Sequence, residues 1–223
     1  MKKIMFILIG TMLLPFATFA KKPKSNVNTY KDCYIYAQSG RNTDKKGSAL
    51  SLTTGETFSL QNANDKADTK EIDVMLFFGK VNGGKTKVFH LFAPNDPSVT
   101  IDWTNDGGTS PFCKFEGKGD DKDAPYALKN WKVRNATKLV KVTNVNFENA
   151  TSESIDSLQI SDSYIASDIK VGDFIAFKLA ETAAEPGKKG LIKVTAIEDD
   201  EEKPNLAGSG QYQRLIVEVK IQK

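Results

Sequence analysis

The sequence predicts a mainly β protein of barrel or sandwich type, with a few short helices and two related halves. Three stretches carry that prediction. The closing stretch, Gln211 to Lys223, alternates Leu215, Val217, Val219 and Ile221 with Arg214, Glu218 and Lys220, broken only slightly by Ile216. A period of two over this length is a strand signal. Val171 to Ile197 reads VGDFIAFKLAETAAEPGKKGLIKVTAI, an apolar run, a Pro-Gly-Lys-Lys-Gly connection and a second apolar run, which is the plan of a β-hairpin. Ile72 to Asp96, IDVMLFFGKVNGGKTKVFHLFAPND, has the same plan.

The two hairpins align at an offset of 100 residues, with Asp73 against Asp173, Val74 against Phe174, Met75 against Ile175 and Phe77 against Phe177. Gly83-Gly84-Lys85 stands where Gly187-Lys188-Lys189 stands. The stretches ahead of them, LSLTTGETFSLQNA from Leu50 and VKVTNVNFENATSESIDSL from Val140, also read alike. The similarity has two explanations: an internal duplication, or the shared look of any two hairpins. In the later return strand, Ile192, Val194 and Ala196 are expected on one face, because side chains alternate along a strand.

Residues 1–20 read as a signal peptide. Lys2 and Lys3 precede an apolar run from Ile4 to Leu14, and Thr18-Phe19-Ala20 supplies small residues for cleavage near Ala20. That run is shorter than the roughly 20 residues of a membrane span. No cysteine stands near the cleavage point, so lipidation is not expected. The expected location is outside the cytoplasm: periplasm, cell surface or extracellular space. Residues 21–29 form a polar leader, 30–116 a first β-rich half, 117–134 a connector with a short helix, and 135–223 a second β-rich half.

Within the first half, Tyr30 to Ala37 is the first strand. Leu50 to Leu60 is a strand pair around Thr54-Gly55, and Gln61 to Thr69 a short helix. Ile72 to Phe78 is apolar on both faces, as a central strand is. Val99 to Trp103 is a further strand. Gly117 to Asp123 (GKGDDKD) marks the boundary, and Asp123-Ala124-Pro125 opens a helix carrying Tyr126, Leu128 and Trp131, with Pro early in the helix where its missing N–H costs nothing. In the second half, Leu139 to Val145 is a strand and Thr151 to Ile160 a short helix. A polar tip, Glu198 to Gly210, leads into the closing strand.

Composition excludes several functions. Apolar residues make up 39% and charged residues 26%, ordinary for a globular protein. The formal charge of +3 falls to +1 without Lys2 and Lys3, so nothing favours nucleic acid or an anionic membrane. His90, inside VFHLF, is the single histidine and reads as structural. No G-x-S-x-G or H-E-x-x-H accompanies it, so no catalytic residue is assigned. The acidic runs Asp120-Asp121-Asp123 and Glu198 to Glu202 lack the alternation of a calcium loop and read as solvated; no metal or cofactor is expected. Cys33 and Cys113 are the only cysteines. Either they pair, closing a loop of about 80 residues for roughly 4 kcal/mol, or they remain small buried thiols. Tyr30, Tyr34 and Tyr36 alternate along one strand and are expected on one face. With Trp103 and Trp131 they are either a binding surface or core; Tyr34, Tyr36, Trp103 and Trp131 are the candidate binding residues. Two Asn-X-Thr triplets start at Asn135 and Asn149, relevant to a eukaryotic secretory route.

IDVMLFFG, LFAPND, NATK, VGDFIAFK with KKGLIKVTAI, and the closing IVEVKIQK resemble a group of small secreted proteins of Gram-negative gut bacteria. The group has no assigned activity. The resemblance implies a periplasmic or cell-surface setting beside glycan-use or adhesion systems. Under it, Asp156-Ser157-Leu158 is similar to an O-glycan acceptor triplet. The leading expectation is a non-enzymatic exported module that binds a glycan or a cell-surface protein. The alternatives are a glycan hydrolase working through two carboxylates and a structural subunit of a surface assembly.

Overall fold

The computed structural model describes residues 26–37, 47–59, 70–80, 86–96, 131–199 and 210–223. Among the described residues ten strands follow in chain order: β1 (Val27–Tyr36), β2 (Ala49–Leu50), β3 (Thr57–Phe58), β4 (Val74–Gly79), β5 (Val88–Phe92), β6 (Lys138–Val142), β7 (Ile165–Ser167), β8 (Phe174–Lys178), β9 (Lys189–Asp199) and β10 (Gln213–Gln222). One short helix, α1 (Ser152–Asp156), lies between β6 and β7. Thr151 caps it: its hydroxyl accepts from the Ser154 N–H while the Ser154 hydroxyl accepts from the Thr151 N–H. The expected strands that fall on described residues are present, with β1 starting at Val27 and α1 ending at Asp156. The helix expected at 61–69 and the strand at 99–103 lie outside the described residues, as does the helix expected from Asp123 except for Trp131, which is described and lies in no helix.

The strands form two antiparallel sheets of five, ordered β1-β10-β9-β8-β6 and β3-β2-β4-β5-β7. β4 is central in the second sheet, as its apolar faces predict. Each sheet takes one strand from the other half of the sequence: β1 pairs with β10, and β7 pairs with β5.

The sheets face one another across one core. Ile35, Leu139, Ile175, Phe177, Ile192, Val194, Leu215, Val217, Val219 and Ile221 of the first sheet meet Leu50, Val74, Leu76, Phe89, Leu91 and Ala166 of the second. This is a sandwich, and the four alternating residues of β10 are its most regular contribution. Burying each such aliphatic side chain contributes about 1.5–3 kcal/mol. The outer face of the second sheet carries a separate cluster of Ala49, Phe58, Met75 and Phe92 under Trp131. The outer face of the first sheet is covered at one end by α1 and Phe147, over Ala176 and Leu191.

Two bulges correct the sequence reading. The β1–β10 register shifts between Tyr30 and Cys33, where Asp32 adopts φ 53°. The extra residue turns Tyr30 towards the inter-sheet core, with Cys33 and Ile35. The three tyrosines therefore do not share a face; only Tyr34 and Tyr36 do. Tyr30 instead lies over Gly55, whose φ is +75°, and donates its hydroxyl to the Thr53 carbonyl. A second shift lies between Ile216 and Val217, opposite Thr195. It places Ile197 on the core where Ala196 was expected.

Candidate functional site

At the far end of the first sheet from α1, three strands align Tyr36, Arg214 and Glu198 in one cross-strand row. Arg214 donates from Nε and Nη2 to Glu198 Oε2 at 3.0 and 2.7 Å, and from Nη1 to the Tyr36 hydroxyl at 2.8 Å. Its guanidinium lies 4.8 Å from the centroid of the Tyr34 ring, within cation–π range. Burial acts to lower the Arg214 pKa, but the hydrogen bonds to Glu198 and Tyr36 outweigh it and hold it above its ordinary value. Beside this row Gln213 donates to Asp199 Oδ1 at 2.8 Å.

The row fixes an aromatic surface. Tyr36 is buried, while Tyr34 is 39% exposed and one of two large apolar residues exposed among the described ones. A ring held on a neutralised arginine loses little freedom when something packs on it, and tyrosine offers both a flat apolar face and a hydroxyl.

The other candidate residues are placed elsewhere. Trp131 is buried in the outer cluster of the second sheet, apart from the tyrosines. Cys33 is buried in the inter-sheet core; as a thiol it is pushed up to about 11 by burial, with the Asp32 and Glu218 carboxylates adding to the effect. Trp103 and Cys113 lie outside the described residues, and with Cys113 the disulfide. So do Asp120, Asp121 and Asp123. Glu198 and Asp199, read as a solvated run, instead pair with Arg214 and Gln213. Sequence reasoning missed Arg214 because its partners depend on which strands pair; its place on the polar side of the alternating β10 was the available signal.

His90 is buried against Phe77, ring centroids 5.9 Å apart. Its Nε2 lies 3.1 Å from the Gly79 carbonyl, which can only accept, so Nε2 carries the proton and Nδ1 accepts from the Ser167 hydroxyl at 2.9 Å. Burial lowers its pKa. Both nitrogens are engaged in bridging β4, β5 and β7.

Asp73 is a second buried ionisable group of this sheet region. Its Oδ2 accepts from the Leu52 N–H at 2.8 Å and its Oδ1 from Asn135 Nδ2 at 3.4 Å. Burial pushes its pKa up to about 7, against those two hydrogen bonds and helped by Glu185. Asn135 also donates to the Ile72 carbonyl and accepts from the Thr182 hydroxyl. It is therefore a structural knot, while the second triplet asparagine, Asn149, is exposed.

Two clefts remain. One, of about 290 Å³, lies beside the β6–β8 edge between Lys138, Tyr164, Lys178, Glu181 and Thr182. The other, of about 280 Å³, lies against α1 between Asn144, Asn146, Asn149, Ser157 and Leu158. Among the described residues no three His, Cys, Asp or Glu side chains converge as a metal site would need. No helix among them is long and apolar enough to cross a membrane.

No protein-family model matches the chain, and no curated protein matches it. Among solved structures it is similar to the crystal structure of a DUF4466 family protein from Parabacteroides merdae. The identity is 11% and the TM-score 0.49, over 89% of this chain and 54% of that one. The chain thus spans about half the length of that structure.

Proposed function

We propose that the chain is an exported, non-enzymatic binding module that takes a glycan or a cell-surface partner on the first sheet, with Tyr34 as the contact residue. The signal-like residues 1–20 motivate export. The observation that carries the binding reading is the Tyr34 ring, exposed yet stacked on an Arg214 that is itself held by Glu198 and Tyr36. An exposed ring held in place on a strand is a ready stacking surface for the apolar face of a sugar ring. Asp73, the described carboxyl with a raised pKa, is sealed under Asn135, which gives the two-carboxylate hydrolase no support.

The test is native affinity electrophoresis of residues 21–223 through gels containing host and plant polysaccharides, with parallel assay of released reducing sugar. Retardation by at least one polysaccharide is expected, weakened about tenfold in Tyr34→Ala, as loss of one aromatic stacking contact implies. Release of sugar overturns the reading in favour of hydrolysis. Retardation that Tyr34→Ala leaves unchanged removes this surface from the proposal.

A further inference from the structure

The cleft against α1 has a lining that specifies a ligand. It is lined by the polar Asn144, Asn146, Asn149, Ser154 and Ser157 and by apolar residues that include Leu158 and Leu191; the Ser154 hydroxyl is already engaged with the Thr151 backbone. None of its described lining residues is charged. Asn146 Oδ1 accepts from both the backbone N–H and the Nδ2 of Asn149, at 3.2 and 3.3 Å. That contact orients both side chains and leaves Asn146 Nδ2 and Asn149 Oδ1 without a protein partner among the described residues. Ser157 donates its hydroxyl to the Ser154 carbonyl at 2.8 Å and keeps its lone pairs.

We infer that this cleft binds one neutral sugar residue. A carboxamide presents a donor and an acceptor side by side, as the hydroxyls of a sugar require. The apolar lining residues suit the C–H face of the ring. A charged ligand would find no counter-charge in this lining, and a purely apolar one would strip water from amides without replacing their hydrogen bonds. A volume of about 280 Å³ lies just below the usual range of pockets for drug-sized ligands, which suits a single ring. Leu191 and Glu198 are on the same strand and the same outer face, so the cleft and the Tyr34 surface lie roughly 20 Å apart along β9. An extended glycan running along β9 would meet both.

The inference rests on the glycan reading of the Tyr34 surface for its partner class, and the test separates the two. Isotope-labelled protein (residues 21–223) is titrated with methyl glucoside, methyl galactoside and methyl mannoside, and with glucuronate and glucosamine as charged comparators, while backbone amide resonances are followed. Saturable shifts confined to residues 144–150, 154–158 and 191 are expected for a neutral glycoside. They should persist in Tyr34→Ala. They should weaken about tenfold in Asn146→Ala, the loss of about one hydrogen bond, with the other resonances in place to show the fold is kept. Absence of such shifts with every neutral glycoside, or equal response to the charged sugars, overturns the inference. Polysaccharide retardation with no shift at the cleft overturns it while leaving the Tyr34 surface standing. Cleft shifts without retardation support the cleft alone.

Discussion

The β4–β5 and β8–β9 hairpins share a pairing register and differ in almost everything that register was expected to bring. Met75 pairs Phe92 and Phe77 pairs His90; one hundred residues on, Ile175 pairs Ile192 and Phe177 pairs Gly190. Yet Met75 and Phe77 point to the outer face, while Ile175 and Phe177 point into the inter-sheet core. Each position swaps face between the hairpins, the outcome that a one-residue slip produces in a strand. The aligned aspartates follow suit. Asp73 is buried and held by Asn135 and a backbone N–H. Asp173 is partly exposed and paired with Lys141 at 2.6 Å. Similar strings of residues thus set similar ladders, but the packing around a ladder decides which face is core and whether a carboxyl meets water.

The two aspartates should differ most in their response to pH. Asp73 holds its proton more tightly folded than unfolded, its pKa rising from 3.8 to about 7 through burial. The native state therefore binds more protons between those values, and this group's contribution to stability is greatest at acid pH and declines as pH rises through 7. The rise corresponds to roughly 4 kcal/mol. Urea unfolding midpoints should fall between about pH 4 and about pH 7 in the parent protein. The Asp73→Asn variant should lose most of that slope, and Asp173→Asn should keep it. An unchanged slope in Asp73→Asn would show that the carboxyl is not sealed as described.

Next in size is the pair of positions opposite the two phenylalanines. His90 has room for an imidazole beside Phe77. Gly190 has none: a Cβ there would come within 2.2 Å of the Phe177 ring and 2.3 Å of the Lys220 carbonyl. A flexible ring can turn, but a backbone carbonyl in the β9–β10 ladder cannot move without disturbing the pairing. Gly190→Ala should cost about 3 kcal/mol, at the upper end for overpacked sites, measured by thermal or urea unfolding. A change below about 1 kcal/mol would mean the sheet yields there.

The outcome also marks where the sequence stops informing. β10 was legible because Leu215, Val217, Val219 and Ile221 recur at a period of two despite Ile216, and β4 because it is apolar on both sides. The bulges at Asp32 and Thr195 were not, since an extra residue leaves no mark on composition, and each reverses the face of what flanks it. Tyr34 and Tyr36 could be paired from their spacing alone. Arg214, 178 residues from Tyr36, could not, because the β1–β10 pairing that joins them is set by the closure of the whole sandwich. The cleft at α1 needed the same closure to bring Leu191 into one lining with Asn149.

The smallest effect tests whether Asp173 is the solvated counterpart that the comparison makes it. Its Oδ2 accepts from the Lys170 N–H at 2.7 Å as well as pairing with Lys141. An asparagine keeps the backbone hydrogen bond and loses only the ion pair, whose partners are 23% and 36% exposed. Such a pair contributes at most about 1 kcal/mol, because water screens it and two side chains are ordered to make it. Added salt should therefore shrink the difference between Asp173→Asn and the parent protein. The Asp73→Asn difference, arising where mobile ions do not reach, should be insensitive to salt. If salt leaves the Asp173 difference intact, the two aspartates share one environment after all, and the contrast between the hairpins is reduced to the direction of their side chains.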